Sequence, residues 1–329
     1  MILRLPGLTL ALSIAVVATV IGKWVPVIGA PVICIVIGVA IAAFIKPGPK
    51  FHPGITTASK LILQISVVVL GSQLSLAQIV KVGFTSLPVM IGSLAVCLVG
   101  AFFIGRWLGI DDDLRTLIGV GTGICGASAI AAVTPIIGAA SVDVAYAIST
   151  IFLFNVTAVL TFPFLGHLLG LSQHSFGLFA GTAINDMSSV VAASTTYGSI
   201  AAGYAIVVKL TRTMLIIPIS LGLAAVERRT LNSSSDKPKV RIHKLVPWYL
   251  VGFLVVAAAN SAGLIPQSAH HSLVQISIFL IAVALAAIGL STNLAALRST
   301  GPRPLLLGGI LWILVSITSL GLQFLTGSL

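Results

Sequence analysis

Long apolar stretches separated by short polar breaks run along almost the whole chain. A helix needs about 20 apolar residues to cross the hydrocarbon core of a bilayer, and eleven stretches are long enough when those containing Gly and Ser are included. They run Leu5–Val25, Val27–Ile45, Leu61–Val80, Ser86–Leu108, Leu114–Val133, Val144–Leu165, Phe176–Thr195, Ile200–Val226, Leu245–Ala262, Leu273–Leu294 and Leu305–Phe324. The pattern therefore predicts an all-α polytopic membrane protein with about eleven transmembrane helices in a single membrane domain, 1–329.

An odd number of spans predicts a repeat with one helix in excess. We expect a first helix over residues 5–25, followed by two five-helix repeats over residues 27–165 and 174–325. The repeats would have opposite orientations and contain broken helices, the plan of many secondary transporters. Residues 227–244 carry the sequence NSSSDKPK between basic flanks and are predicted to form a cytoplasmic loop.

Composition agrees with a membrane protein and excludes several other classes. Hydrophobic residues make up 57% of the chain, charged residues 8%, and the mean hydropathy is +1.15, far outside the range of soluble domains. The net charge of +11 comes from residues scattered between apolar runs, so it indicates membrane topology rather than a nucleic-acid partner. No Walker motif, catalytic triad or zinc spacing occurs, so we expect neither an enzyme nor a bound cofactor.

The basic residues also predict an orientation. If the N-terminus is cytoplasmic and all eleven segments cross, fourteen of the 18 Lys and Arg residues lie inside and only Lys23 and Lys81 lie outside, as the positive-inside rule requires. This places the N-terminus in the cytoplasm and the C-terminus outside. Folding both the fifth and the seventh segments back on themselves would change only the nearly charge-free stretch between them, so the rule allows either topology.

The seventh segment places a carboxylate, Asp186, in the sequence GTAINDMSSVVAAS, which is otherwise suited to lipid. An earlier stretch, GTGICGASAIAAVT from Gly121, repeats its Gly, Thr, Ile, Ser and Ala sixty residues upstream. Breaks of this kind suit half-helices whose free backbone N–H groups attract anions; the alternative is close helix packing through small residues. A weaker echo pairs residues 71–83 with 289–301, and neither echo fits a five-helix offset, so the phase of the repeat stays open.

The eighth segment carries Lys209 and Arg212 one helical turn apart and therefore on one face. A charge left unpaired at the bilayer centre costs at least about 2.5–3.5 kcal/mol, so the simplest arrangement has Asp186 neutralise one cation and leaves a surplus positive group. That surplus suits an anionic substrate; a buried pair that only fixes helix register is the alternative. The predicted substrate-binding residues are Thr122, Gly123, Cys125, Gly126, Ser128, Thr182, Asn185, Asp186, Ser188, Ser189, Lys209 and Arg212.

Four stretches, GTGICGASAIAAVTPII, GTAINDMSSVVAAS, KLTR at 209–212 and GLSTNLAALRSTGPRPLLLG near the end, together resemble the YeiH family over essentially the whole chain. The resemblance implies a bacterial inner-membrane protein of a family described as sulfate exporters, related to carriers with inverted repeats and broken helices. Asn185 stands where the family has His before the Asp. That difference favours Asp186 as an organiser of charge over a role in a proton relay.

These observations predict a secondary active transporter that exports a small inorganic oxyanion, sulfate or sulfite, by alternating access. One alternative is a Na+- or H+-coupled carrier of bicarbonate or organic carboxylates, in which Asp186 binds Na+ or a proton; no other metal site is expected. A second alternative is a non-transporting scaffold or holin-like protein. The expected partners are the small anion and the lipid bilayer, and the sequence leaves a homo-oligomer open.

Overall fold

The computed structural model describes residues 4–24, 29–45, 47–230, 247–291 and 301–328. Within these ranges it contains helices and turns and no strands. The helices are α1 Leu5–Trp24, α2 Gly29–Phe44, α3 His52–Thr57, α4 Leu63–Leu70, α5 Leu76–Trp107, α6 Asp112–Gly123, α7 Ala127–Ile137, α8 Ser141–Leu168, α9 Gln173–Ala183, α10 Met187–Tyr197, α11 Ser199–Met214, α12 Ile216–Thr230, α13 Trp248–Ser261, α14 Gln267–Leu290 and α15 Pro302–Leu325.

The described residues of the eleven apolar segments lie mainly on helices, either on one helix or on consecutive ones. Among the described residues, seven helical stretches are long and apolar enough to cross a membrane, and α2, α7 and α13 are shorter apolar helices. Large apolar side chains also face outward, such as Phe103, which is 65% exposed, and lipid is the solvent that tolerates such a surface. The protein is an all-α polytopic membrane protein, as its sequence predicts.

The fifth segment is a helical hairpin rather than one helix. Its first arm, α6, ends at Gly123, and its second arm, α7, begins at Ala127. Asp143, near the start of α8, lies close enough to Asp111 and Asp113 at the start of α6 for their charges to interact. The chain thus returns to the side from which it entered.

The seventh segment folds back in the same way through α9 and α10. The ring of Tyr197, the last residue of α10, stacks on Phe176 near the start of α9 with 3.8 Å between ring centroids. The side-chain oxygen of Gln173, the first residue of α9, accepts hydrogen bonds from the N–H groups of Ile200 and Ala201, which follow α10. The sequence allowed either crossing or re-entry for these two segments, and both fold as helical hairpins, as re-entry requires.

The helices pack as two groups. One group, called here the scaffold group, contains α1–α4, α13 and α14; the other, called the hairpin group, contains α5–α12 and α15. Within the scaffold group α2 crosses α14 so closely that a Cβ added to Gly38 would lie 2.6 Å from the backbone oxygen of Ala286. The groups meet where α10 packs against α2 and α14 and where α13 packs against α5, and residues of α10 and α11 share an apolar cluster with the scaffold group.

Three predictions fall wholly or partly outside the described residues. The cytoplasmic loop at 227–244 overlaps the end of α12 as far as Thr230, and its remainder is not described. Most of the 289–301 echo also lies outside. The repeat boundaries at 27–165 and 174–325 stay predictions.

Candidate functional site

The tips of the two hairpins meet in the middle of the hairpin group. Gly126, at the tip of the first hairpin, has φ +69° and ψ −132°, a conformation that side chains with a Cβ rarely adopt. A Cβ added there would lie 3.3 Å from the Cβ of Asp186 at the tip of the second hairpin. A glycine is therefore required both by the backbone turn and by the contact between the tips.

Lys209 joins the two tips through their backbone. Its Nζ donates to the backbone oxygens of Ile124 and Ile184, both at 2.8 Å, and the side chain is fully buried. Each acceptor follows the last residue of a first arm, where helix carbonyls lack intrahelical partners and carry partial negative charge. Arg212, also fully buried, donates in the same way to the oxygen of Thr182 near the end of α9.

Asp186 forms no direct ion pair with either cation, contrary to the simplest arrangement predicted from the sequence, although its charge acts on Lys209 at longer range. Its carboxylate caps the N-terminus of α10, accepting from the Ser189 N–H at 2.6 Å and from the hydroxyls of Ser188 and Ser189 at 2.8 and 3.2 Å. Among the described residues, neither Lys209 nor Arg212 forms an ion pair. The carbonyl ends of α6 and α9 supply partial negative charge to the two cations. The N–H end of α10 supplies partial positive charge to the Asp186 carboxylate.

Asn155 on α8 holds the second tip in place. Its side-chain Nδ2 donates to the Asp186 carboxylate at 2.9 Å, and its Oδ1 accepts from the backbone N–H of Asn185 at 3.0 Å. Asn155 thus forms hydrogen bonds between α8 and the tip of the second hairpin. Its polar character within an apolar segment is the sequence signal that could have identified it.

The N-terminus of α7 differs from that of α10 because no side chain caps it. In the part of the chain that is described, the backbone N–H groups of Ala127 and Ser128 have no hydrogen-bond partner. Free N–H groups at a helix start, together with the helix dipole, favour an anion. The start of α10 is thus capped by the Asp186 carboxylate, whereas the start of α7 is open.

A cavity of 380 Å³ lies between the hairpin tips and the scaffold group. Four of the predicted site residues line it: Cys125, Ser128, Asp186 and Ser188. The other predicted residues lie at or behind the tips without lining it: Thr122, Gly123, Gly126, Thr182, Asn185, Ser189, Lys209 and Arg212. Lining residues that were not assigned to the site from the sequence include Ser59, Lys60, Leu63, Gln64, Val67, Thr213, Ile216, Pro247 and Tyr249.

The missed residues come mainly from the scaffold group. Gln64 is a polar residue in an apolar stretch, and Thr213 directly follows the KLTR stretch, so both carried some signal in the sequence. Lys60 and Tyr249 lie near the ends of apolar segments, where Lys and aromatic residues are ordinary. Only the packing of the two groups brings them to the cavity.

Comparisons with known proteins place the chain in a family. The model described as "Conserved hypothetical protein 698" matches residues 6–308. The chain is 43% identical over 332 residues to a UPF0324 membrane protein of Streptococcus pyogenes serotype M3, covering 98% of each protein. It is 41% identical to a UPF0324 membrane protein of Streptococcus agalactiae serotype V, covering 99% of this chain and 98% of the relative. The resemblance seen in the sequence is confirmed: the chain belongs to the UPF0324, or YeiH, family of membrane proteins.

Proposed function

We propose that the protein is a secondary active transporter that binds a small anion at the tip of its first hairpin. The observation that carries the proposal is the uncapped start of α7, where the backbone N–H groups of Ala127 and Ser128 have no partner among the described residues and both residues line the cavity. An anion there would mirror the Asp186 carboxylate, which already occupies the start of α10. The two buried cations exceed the single carboxylate by one charge, which also favours a bound anion.

Alternating access would occur between the two groups of helices. The cavity reaches the surface beside the exposed Lys60, while α10 packs against α2 and α14, and apolar side chains of α10 and α11 share a cluster with those of the scaffold group. The site is thus open on the side of Lys60 and closed on the side where apolar side chains of the two groups meet. Sliding of the hairpin group along the scaffold group would exchange the two.

The first substrate candidate is an inorganic oxyanion such as sulfate or sulfite, whose oxygens suit backbone N–H groups and the Ser128 hydroxyl. Export as the direction of transport comes only from the family resemblance. The second candidate is bicarbonate or an organic carboxylate, with H+ or Na+ as the coupling ion. The apolar side chains of Leu63, Val67 and Ile216 in the cavity wall favour the organic substrate, because a bare inorganic anion makes no use of them.

The proposal is tested by anion flux into proteoliposomes with sulfate, sulfite, bicarbonate and small carboxylates. Ser128→Glu would place a carboxylate at the open start of α7, so we expect it to abolish flux by competing with the anion. Ser128→Gln matches the size of the new side chain without its charge and should keep most of the flux. Equal flux in the wild type and in Ser128→Glu would exclude this anion site, and no flux of any anion would favour the non-transporting scaffold or holin-like alternative.

A further inference from the structure

The wall of the cavity opposite the hairpin tips carries its own hydrogen-bond donors. Lys60 and Gln64 both line the cavity, and a spacing of four residues places them on one face of the helix. Lys60 lies within a π-helical turn, Ala58–Ile62, between α3 and α4. Such single π turns inside α-helices are frequent at functional sites.

The amide of Gln64 is oriented by a neighbour. The indole Nε1 of Trp248 donates to its Oε1 at 2.8 Å, which fixes the oxygen and leaves the NH2 group as the free end. Among the described residues this NH2 group has no partner. Lys60 and Gln64 therefore present an ammonium and an amide donor to the same cavity.

We propose that the cavity binds an elongated organic dianion, with one anionic group at the start of α7 and the other at Lys60 and Gln64. The lining of the same cavity also includes the apolar side chains of Leu63 and Val67, which suit an apolar connecting chain. A compact anion held at the hairpin tips would leave Lys60 and Gln64 without a ligand.

The other charged or titratable groups around the cavity are compatible with this arrangement. Asp186 faces the cavity, but its carboxylate is held by four donors from the tip and from Asn155. The second anionic group of the ligand therefore binds Lys60 at the scaffold wall, away from the Asp186 carboxylate. Cys125 and Tyr249 also line the cavity, and Lys209 lies behind the tips and contributes positive charge to the region.

The test compares three anions by thermal stabilisation of the purified, full-length protein, since a ligand that binds the folded state raises its stability. Succinate is the elongated dianion, butyrate has the same number of carbons with one charge, and sulfate is a compact dianion. We expect succinate to bind most tightly. Lys60→Gln should weaken succinate binding by up to about fivefold, as expected for one exposed charge contact, and leave butyrate unchanged.

Three further variants make the result specific. Lys50→Gln removes an exposed charge that does not line the cavity and should have no effect, while Lys60→Arg keeps the charge and should retain succinate binding. Trp248→Phe frees the Gln64 amide and should weaken succinate more than butyrate. Equal affinities for succinate and butyrate, or an equal loss of both in Lys60→Gln, would overturn the proposal. Because it rests on the proposed anion site, failure of all three anions to bind would reject that site as well.

Discussion

Lys209 is a buried cation whose partners are backbone carbonyls rather than an acidic side chain. Each of its two acceptors belongs to a different hairpin, so one side chain fixes the relative position of both tips. A positioning role differs from that of a substrate ligand, which would direct its charge into the cavity. Arg212 has the same relation to the end of α9, and neither cation lines the cavity.

Replacing Lys209 by Met should therefore destabilise the fold. The change leaves the carbonyls of Ile124 and Ile184 without a donor, at about 1–3 kcal/mol for each. The measurement is the midpoint of thermal unfolding in detergent, with Lys81→Met on an exposed position of α5 as the control. Unchanged stability combined with lost anion binding would instead identify Lys209 as a ligand.

Gly126 and Asp186 occupy corresponding positions in the sequence echo. The two hairpin tips differ in function because these two residues differ. Asp186 supplies its own carboxylate to the start of α10, whereas Gly126 leaves the start of α7 open. Glycines elsewhere in the echo serve packing: a Cβ added to Gly181 would lie 2.7 Å from the side chain of Val208 on α11. Both interpretations of the Gly-rich stretches, a broken-helix site and close packing, thus apply, at different residues.

At the scale of elements, the hairpins account for the sequence echo at 121–128 and 181–188, since both stretches contain a tip. The first member of the weaker echo, residues 71–83, covers a short helical turn at 71–73 and the start of α5. Most of its second member lies outside the described residues.

The two hairpins predict which positions share a side of the membrane. Single cysteines replacing Ser172 and Ser199, both exposed at the base of the second hairpin, should react with an impermeant thiol reagent from the same side. Cysteines replacing Asp112 and Ser141, at the base of the first hairpin, should share the opposite side.

The labelling is done in a variant lacking the three native cysteines, which are all buried. It compares intact cells with inside-out vesicles. If Ser172→Cys and Ser199→Cys were labelled from opposite sides, the seventh segment would be a complete crossing.

At the scale of the whole molecule, the charge pattern alone could not detect the hairpins. No Lys or Arg occurs between Arg115 and Lys209, so the direction of α8 has no effect on the positive-inside rule. The basic residues that set the topology all lie in parts of the chain whose orientation is the same with or without the two folds.

The termini are therefore expected on opposite sides of the membrane. Removing two re-entrant segments from eleven leaves nine crossings, which is still an odd number. A reporter fused to the C-terminus should be active outside the cytoplasm and one at the N-terminus inside, as the distribution of Lys and Arg predicts. Cytoplasmic activity of both reporters would mean that one of the hairpins crosses or that another segment does not.

The class of the protein, the positions of its helical segments and the presence of three charged residues within them, Asp186, Lys209 and Arg212, could be predicted from the sequence alone. These are local properties: an apolar stretch must form a helix in lipid, and a charge within it needs a partner. The tertiary structure was needed to establish which partner each charge has, because helix termini and oppositely charged side chains can both stabilise a buried charge. It also decided that segments five and seven fold back and that Lys60 and Gln64 face the cavity, since both depend on contacts between residues far apart in the chain.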